Sequence, residues 1–567
     1  MKIKRFLSLV LSLLLVLSLS GCGNREEPED PNSVPEVSGE DELVLYHNST
    51  ALAPMLMSLT EEYSKATGKK ISAKLAGNDF LGEMQSNSAV IYVVDTNSDL
   101  SEWHSGGLFS DLINDSGLSS VVSGIPAGLQ LNPAGIGSYG VPLVLEGYGY
   151  IFDKEMISAL FGKENSENLI NDLKTCSFTE FEGFVAAVDT YISAPSAAEI
   201  TIGGSKYTFA KEKNGKALNL TGVFSLSSES TRAMEHLLST ALAAKFASRY
   251  EVMTAAEEAV SGMNDILSAY VEVLDLHTSH ISGAEGSIGR GDEFTGGDYN
   301  YSTAVDLFTR GNALFYPGGT FDTGDFEKSA EGFSENLDII PMKLPLSDDE
   351  ITAAGMTAEK LQSSIVIGSR YYLTVNPKAD EASSAAAKDF INWIYGNEAG
   401  KNAFSSAFGG VPFNFEYIMG DSVTEENPPA ENQSEVSSES ESSEGKTKSG
   451  TASPENSSQS GTESENPGLA EEENSGEENP DLVGPMIPSH SISNSLMASV
   501  AEYYAAGNWI PDLSFALPAD FTEKILGENL SDYWGMETWA DSDRKNFVDT
   551  IIGGWKERLD KENSAVG

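Results

Sequence analysis

One glutamate stands between two buried apolar runs in the segment SYGVPLVLEGYGYIFDK, residues 138–154. The six residues before it, GVPLVL, predict a short strand. Its proline lies near the start, where the missing N–H is not needed for a hydrogen bond to a neighbouring strand. The run YIF, four residues later, predicts a second strand followed by a helix start. A carboxylate between two strands needs a reason, because burying it is costly. We therefore expect the four residues from Glu146 to form a flexible junction between two lobes, with Glu146 and Tyr148 facing the cleft.

The segment before this junction alternates strands and helices. Apolar residues recur at helical spacing from Leu52 to Tyr63, between short strands at residues 43–46 and 70–75. A strand, a helix and a strand in succession predict a parallel pair, and the buried run at residues 90–94 extends the sheet. The pattern predicts an α/β fold.

Polar residues follow three of these predicted elements. Ligands gather at the carboxyl ends of strands in open α/β sheets, so Asn48, Asp79 and Asp95 are candidates for ligand binding. Each also has a structural interpretation: Asn48 as a turn residue, and the two aspartates as helix caps.

Three stretches carry a resemblance to a known family. The first is the proline-led strand, the glutamate and the aromatic strand described above; the second is AVDLFTRGNALFYPGGTFDTGDF, residues 304–326; the third is residues 379–412, a helix with an aromatic ridge and a return containing GGVP. In this order and spacing they resemble the family 1 extracellular solute-binding proteins, the maltodextrin-binding type that serves ABC importers.

The resemblance implies a two-lobed, periplasmic-binding-protein-like α/β fold with a hinge of several crossing segments and a ligand cleft between the lobes. The implied N-terminal lobe comprises residues 43–145 and 373–413, and the C-terminal lobe comprises residues 146–372 and 483–563. The implied partners are a small-molecule ligand and the permease subunits of an ABC transporter, and we expect a monomer.

The resemblance also implies site residues. Glu146 occupies the position of a sugar-contacting glutamate, and Phe321 that of a stacking tryptophan; Phe321 as a buried hinge aromatic is the alternative. Tyr148, Asp322 and Trp509 are further candidates by position. Aromatic faces cover the apolar C–H surface of a sugar, and carboxylates accept hydrogen bonds from its hydroxyls.

The N-terminus predicts export. Residues 1–22 have basic residues, an apolar run and then Leu-Ser-Gly-Cys, which resembles a bacterial lipobox with cleavage before Cys22 and acylation of its thiol. An uncleaved membrane helix is the alternative, but the run is shorter than the roughly 20 residues that span a bilayer. Residues 23–42 read as a flexible tether. We expect the protein to be lipid-anchored at the extracytoplasmic face of the cell membrane.

Net charge and composition exclude some classes of binding partner. The 567 residues carry a net charge of −51, which argues against nucleic acid as a partner. Residues 420–480 are rich in Ser, Glu, Asn, Gly and Pro and contain no aromatic residue, so we expect a disordered acidic insertion. Because the insertion holds much of the acidic excess, the whole-chain charge does not select a ligand.

Two local patterns are predicted within the second lobe. Asn214-Gly215 predicts a hairpin between residues 206–209 and 217–220. Residues 169–194 are expected to be helical, and Cys176 near their start is expected to pack as a small apolar residue.

Signatures of enzymes are scarce: G-x-S-x-G, H-E-x-x-H and the P-loop pattern do not occur in the sequence. His277 and His280 with nearby acids favour a solvated helix end over a metal site, so we expect neither a metal nor a cofactor. We interpret the chain as a carbohydrate receptor without catalytic residues. A secreted glycan-active enzyme, using Glu146 with Asp95 or Asp322, and a receptor for a polyamine or other cation remain alternatives.

Overall fold

The computed structural model describes residues 42–77, 80–86, 89–95, 103–104, 106–115, 117–133, 135–229, 231–408, 495–517 and 521–566. The predicted signal peptide with Cys22, the tether before Glu42, the acidic insertion and Asp79 lie outside these residues.

The strands within the described residues are numbered here in chain order. They are β1 Glu42–His47, β2 Lys70–Leu75, β3 Ile91–Asp95, β4 Val141–Pro142, β5 Glu146–Asp153, β6 Glu199–Ile202, β7 Ser205–Thr208, β8 Gly222–Phe224, β9 Ile281–Ser282, β10 Ser287–Ile288, β11 Ala313–Gly319, β12 Leu337–Ile340, β13 Ile365–Gly368, β14 Tyr371–Val375 and β15 Trp509–Pro511.

Helices connect and cover these strands. They are α1 Ala53–Thr67, α2 Phe80–Ser86, α3 Ser119–Val122, α4 Lys154–Phe161, α5 Lys163–Thr175, α6 Phe178–Ser193, α7 Thr231–Ala243, α8 Arg249–Met253, α9 Glu257–Ser261, α10 Asn264–Thr278, α11 Asp292–Thr295, α12 Tyr301–Thr309, α13 Thr323–Ser329, α14 Ala358–Ser363, α15 Glu381–Gly396, α16 Glu398–Phe408, α17 Ser495–Ala506, α18 Glu528–Trp534 and α19 Asp541–Val566. Within the described residues, none of the helices has the length and apolar character needed to cross a membrane.

The strands form two main sheets. The first sheet has the order β2-β1-β3-β14-β4, and the second has the order β10-β9-β8-β11-β5-β13-β15, with β12 also paired to β5. As predicted, β1 and β2 are parallel and α1 connects them. β14 runs antiparallel to β3 and therefore brings a late part of the chain back into the first sheet.

Successive side chains along a strand point to opposite faces of the sheet and pack in different apolar clusters. Leu43 and Leu45 of β1 pack on one face of the first sheet, whereas Val44 and Tyr46 pack on the other. In β5, Tyr150 packs with the helices of the second sheet, while Ile151 joins the cluster that also contains Leu45. One apolar cluster therefore runs continuously from the first sheet to the second.

Local signals set several helix ends. Gly68 ends α1 in the left-handed region at φ 74°, which favours glycine because it lacks a Cβ. Asp153 accepts a hydrogen bond from the Glu155 amide at the start of α4. Ser177 and Glu180 form a capping box at the start of α6, a feature typically worth about 1 kcal/mol.

Two strand connections cross between the sheets side by side. The chain leaves β4 of the first sheet and enters β5 of the second, and it returns from β13 to β14. The Leu143 amide donates to the Tyr371 carbonyl at 2.8 Å, and Gly368 is paired with Glu146. An antiparallel two-stranded ribbon therefore links the sheets, which is the geometry of a hinge.

The structure corrects three expectations. Glu146 does not interrupt a strand. It is the first residue of β5, which continues without a break to Asp153, and it pairs with Gly368 of β13. Asn214-Gly215 does not turn a hairpin: the antiparallel pair is β6 with β7, and residues 215–219 form a 3₁₀ helix. The stretch 169–194, expected as one helix, is divided between α5 and α6. Cys176 is buried, as expected.

Candidate functional site

Three charged side chains meet where the ribbon joins the sheets. Asp95 ends β3 and is paired with Tyr371, the first residue of β14. Arg370 immediately precedes that residue, and Glu146 begins β5. We call Asp95, Glu146, Tyr148, Asp322 and Arg370 the junction cluster.

Asp95 and Arg370 form a close ion pair. The guanidinium Nη2 lies 3.1 Å from Asp95 Oδ2, and Nε donates to both carboxylate oxygens at 3.1 and 3.3 Å. The Asp95 side chain is 14% exposed, so this two-pronged contact is partly shielded from water. The charge of Asp95 is therefore compensated by Arg370, which also lies 5.4 Å from the Tyr371 ring centroid.

Glu146 is only 5% exposed, and its carboxylate accepts a hydrogen bond from the Tyr148 hydroxyl. Burial raises the pKa of Glu146 to about 7, because the charged form loses hydration. The Tyr148 hydrogen bond and the charge of Arg370 oppose this rise in pKa, whereas Asp322 adds to it. Glu146 is therefore buried at the junction between the sheets, and its role as a cleft residue stays a prediction.

Tyr148 is also buried, at 5% exposure. Its ring stacks on His236 of α7 with 3.5 Å between centroids and 14° between planes. One face of Tyr148 is thus covered by protein, and its role in ligand binding stays a prediction. Its hydroxyl holds the carboxylate of Glu146.

Asp322 and Phe321 lie in a short 3₁₀ turn after β11, residues 320–322. Asp322 is 4% exposed and accepts hydrogen bonds from the Tyr301 hydroxyl at 2.8 Å and the Gly319 amide at 2.9 Å. The turn is tied to β5, because the Gly147 amide donates to Thr320 Oγ1 at 3.2 Å. Phe321 is 41% exposed, so the alternative of a buried hinge aromatic is wrong.

Two further predicted positions, Asn48 and Trp509, are not part of the junction cluster. Asn48 is exposed just after β1, whose parallel register with β3 puts it at the same carboxyl edge as Asp95. Trp509 begins β15, is half-buried and stacks on Tyr504 at 5.7 Å between centroids. The structure therefore brings Asp95, Glu146, Tyr148 and the turn holding Phe321 and Asp322 together, with Asn48 at the same edge of the first sheet as Asp95.

The sequence analysis missed Arg370, Asp512 and His236. Arg370 could have been found by the signal that singled out Glu146, because it too is a charge between two buried apolar strands. Asp512 follows β15 and is fully buried; its Oδ1 accepts from Ser239 Oγ at 2.6 Å and Ser514 Oγ at 2.7 Å. His236 gives no comparable signal, because it lies within a helical pattern.

The described residues contain no group of three or more His, Cys, Asp or Glu side chains arranged to hold a metal ion. His277 is buried and its Nε2 lies 2.7 Å from the Tyr150 hydroxyl. Burial lowers the pKa of His277 to about 3, so this histidine is neutral at physiological pH. The solvated helix end expected for His277 is therefore incorrect.

A surface depression of about 590 Å³ lies away from the junction cluster, at the opposite end of the second sheet. Its lining includes Asn219, Thr221, Arg310 and Asn312. These polar groups already bond to each other or to nearby backbone: Asn219 Nδ2 donates to the Arg310 carbonyl, and Thr221 Oγ1 to that of Gly283. The polar groups of the junction cluster, rather than this depression, define the candidate site.

Solved structures that are similar to this chain include several solute-binding proteins. A bacterial solute receptor, AcbH, described as having an exclusive preference for β-D-galactopyranose, matches with a TM-score of 0.51 at 10% identity, covering 91% of this chain and all of the other. RafE of Streptococcus pneumoniae, solved with raffinose, gives 0.48 at 14% identity, covering 91% and 98% of the two chains. A cyclo/maltodextrin-binding protein with maltotetraose gives 0.47 at 13% identity, covering 92% and 99%.

These identities are low, so the AcbH likeness shows the fold alone: a mixed α/β, two-lobed solute-binding architecture, as expected. No curated protein matches the sequence. The profile of the family described as "Bacterial extracellular solute-binding protein" matches residues 59–429, which is more than half of the chain. The chain therefore belongs to the bacterial extracellular solute-binding proteins.

Proposed function

We propose that this protein is a lipid-anchored receptor that binds a carbohydrate at the junction between its two sheets and delivers it to an ABC importer. The family supports an extracytoplasmic solute-binding role. The observation that carries the choice of site is the junction cluster, which gathers buried polar groups from both sheets beside one exposed aromatic ring.

The chemistry of this cluster suits a sugar. Phe321, at 41% exposure, offers aromatic surface for the C–H surface of a pyranose, and Arg370 can donate to ring or hydroxyl oxygens. Asp95 can accept from hydroxyls while Arg370 holds it in place. Glu146 and Tyr148 then act from behind this surface as positioning residues rather than as the first contacts.

The ribbon supplies the mechanism of capture. A ligand that touches Asp95 on the first sheet and Phe321 beside the second favours the conformation in which these groups are close. Hydrogen bonds to charged groups strengthen as water leaves the closed site. The closed form is then the state that the permease recognises.

We infer that the ligand leaves unchanged. A glycosidase needs two free carboxyl groups about 5 to 9.5 Å apart on either side of the sugar. Asp95 is committed to Arg370, and Asp322 accepts from Tyr301 and from the Gly319 amide. Incubation with labelled maltotetraose followed by chromatography should return the intact sugar, and released shorter products would indicate an enzyme instead.

One observation favours a second candidate, a polyamine or other cation. Asp95, Glu146, Asp322 and Asp512 surround the junction with Arg370, so acids exceed bases there. Binding of a cation should weaken steeply with added salt, whereas sugar binding should be nearly independent of salt.

The decisive experiment is a thermal-shift panel of galactose, raffinose, maltotetraose and spermidine. A ligand present at about 100 times its dissociation constant should add about 2.7 kcal/mol of stability. Phe321→Ala should abolish the shift while leaving the ligand-free melting temperature close to that of wild type, because this ring is largely exposed. Leu218→Ala, at 64% exposure and remote from the junction, is the matched control.

The proposal fails if no sugar in the panel stabilises the protein, or if Phe321→Ala binds as well as wild type. Stabilisation by spermidine alone would select the cation receptor. Anchoring is tested separately: Cys22→Ala should release the exported protein from the membrane fraction and stop incorporation of labelled palmitate. A cytosolic product in the wild type would refute the exported location.

A further inference from the structure

The turn that holds Phe321 continues directly into a helix. Asp322 and Thr323 both have right-handed helical backbone angles, so residues 320–322 and α13 form one helical segment. Residues three, four and seven positions apart lie on the same side of such a segment. Counted from Phe321, these positions are Gly324, Asp325 and Lys328. We call these four residues the α13 stripe, which begins at the candidate site and follows the helix.

The α13 stripe faces solvent, and the opposite side of the helix is anchored. Phe321, Gly324 and Lys328 are exposed, and the Asp325 side chain is 36% exposed. A Cβ added at Gly324 would meet no described atom within 4 Å, so a gap lies between the aromatic ring and the charged pair. On the other side of the helix, Phe326 is fully buried and packs against three other aromatic rings. The stripe therefore stands on a fixed support.

The Asp325 carboxylate is held in place from two sides. Lys328 Nζ lies 2.9 Å from Asp325 Oδ1, and the Tyr301 hydroxyl lies 2.9 Å from Oδ2. The same hydroxyl lies 2.8 Å from Asp322 Oδ1, which connects the stripe to the turn of the candidate site. An exposed ion pair of this kind contributes little to stability. It does place one hydrogen-bond acceptor and one donor at defined positions on the surface.

The α13 stripe differs from the junction cluster in charge. Asp325 and Lys328 compensate each other, whereas acids exceed bases at the junction. The other acid of the exposed part of the helix, Glu327, is engaged elsewhere, because its carboxylate accepts from the amides of Gly332 and Ser334. The stripe thus combines an aromatic ring, a donor and an acceptor without net charge. These are the groups that a sugar needs, and they offer a cation no excess of acid.

We propose that Gly324, Asp325 and Lys328 form a second sugar subsite beside Phe321, so that the solute is a neutral oligosaccharide extending from the junction cluster along α13. From Phe321 to Lys328 the helix rises about 10 Å, since each residue adds about 1.5 Å. This length exceeds a single pyranose ring, so a monosaccharide bound at the junction leaves the subsite unused. The inference rests on the proposed carbohydrate-binding role and adds the size and neutrality of the ligand.

The test is titration calorimetry of wild type and variants with galactose, raffinose and maltotetraose. Gly324→Leu fills the gap in the stripe, and leucine favours a helix more than glycine does, so the fold should be retained. Gly553→Leu is the matched control, because Gly553 lies within α19 and a Cβ there also meets no described atom within 4 Å. Gly324→Leu should weaken binding of raffinose or maltotetraose about tenfold or more and leave any binding of galactose unchanged. Gly553→Leu should bind all three sugars as wild type does.

A second variant removes the donor without adding bulk. Lys328→Met should weaken oligosaccharide binding about tenfold, the scale of one lost hydrogen bond to a charged group, while the melting temperature stays close to that of wild type. The inference is overturned if galactose binds and neither oligosaccharide does, or if either stripe variant binds the oligosaccharide as tightly as wild type. Loss of binding in Phe321→Ala would then still support the carbohydrate receptor. If none of the three sugars binds, the proposed function fails and this inference fails with it.

Discussion

Replacing Glu146 by glutamine should make the stability of this protein less sensitive to pH. Glutamine has nearly the same shape and keeps an oxygen that accepts from Tyr148, but it cannot ionise. In the folded chain burial raises the pKa of Glu146 to about 7, against 4.5 for an ordinary glutamate. The substitution therefore removes one titration and leaves the packing of β5 in place.

The sign follows from proton binding. Between about pH 4.5 and about pH 7 the folded chain holds a proton on Glu146 that the unfolded chain has released. The free energy of unfolding therefore falls as pH rises through this window, and the full penalty persists above it. The difference between 7 and 4.5 is about 2.5 pH units, and at 1.36 kcal/mol for each the penalty is about 3 kcal/mol.

The assay is urea denaturation of ligand-free protein at pH 4.5 and pH 8, followed by tryptophan fluorescence and circular dichroism. Relative to wild type, Glu146→Gln should gain about 3 kcal/mol between the two pH values. Glu180→Gln is the matched control. Hydrogen bonds from Ser177 lower the pKa of Glu180, so its contribution to stability is lost mainly below pH 4.5, and this variant should differ from wild type by nearly the same amount at both pH values. The reasoning is refuted if the difference between wild type and Glu146→Gln is the same at both pH values.

Two further substitutions test other buried charges. Lys343 is fully buried, and its ammonium donates to the carbonyls of Lys174 and Gln362. Burial lowers the pKa of Lys343 from 10.5 to about 8. The free energy of unfolding should therefore rise by about 3 kcal/mol as pH rises between these two values. Urea titrations should show this rise in wild type and not in Lys343→Met; a rise of equal size in the variant would contradict it. Arg290 contacts Asp275 at 2.6 Å with both side chains under 5% exposed. Arg290→Met should cost about 3 kcal/mol, because Asp275 keeps only Arg544 as a charged partner and the Tyr533 and Met536 carbonyls lose their donor. The melting temperature measures this loss, and Lys328→Met, which breaks an exposed ion pair with Asp325, should change it little.

Local patterns predicted much of the first sheet. The alternation in residues 43–46 and the helical spacing after Leu52 depend on neighbours in sequence, and both appear as expected in β1 and α1. The helix end at Gly68 follows from the left-handed backbone conformation of this glycine. The cap at Asp153 follows from the hydrogen bond that its side chain accepts from the Glu155 amide. The lobe boundaries stay a prediction, although β14 already enters the first sheet at Tyr371, two residues before the expected boundary.

The failed predictions have a common cause. Asn214-Gly215 carries a strong turn signal, but Asn214 Nδ2 donates to the Ala159 carbonyl, and the tight turn falls instead at Gly203 and Gly204, with φ of 57° and 79°. Distant partners decided which of two turn signals was used. The same holds for residues 146–149, where pairing with β13 and β11 converts an expected flexible junction into a central strand.

The sequence by itself determined the class of fold, because this depends on periodicity, and three short motifs pointed to the solute-binding family by resemblance. Only the tertiary structure decided which groups meet at the crossing: Arg370 with Asp95, the Tyr148 hydroxyl with Glu146, and the ring of Phe321 open to solvent. Asp95 and Arg370 are 275 residues apart in the chain. Their contact, and the burial that raises the pKa of Glu146, arise from sheet pairing that sequence spacing does not specify.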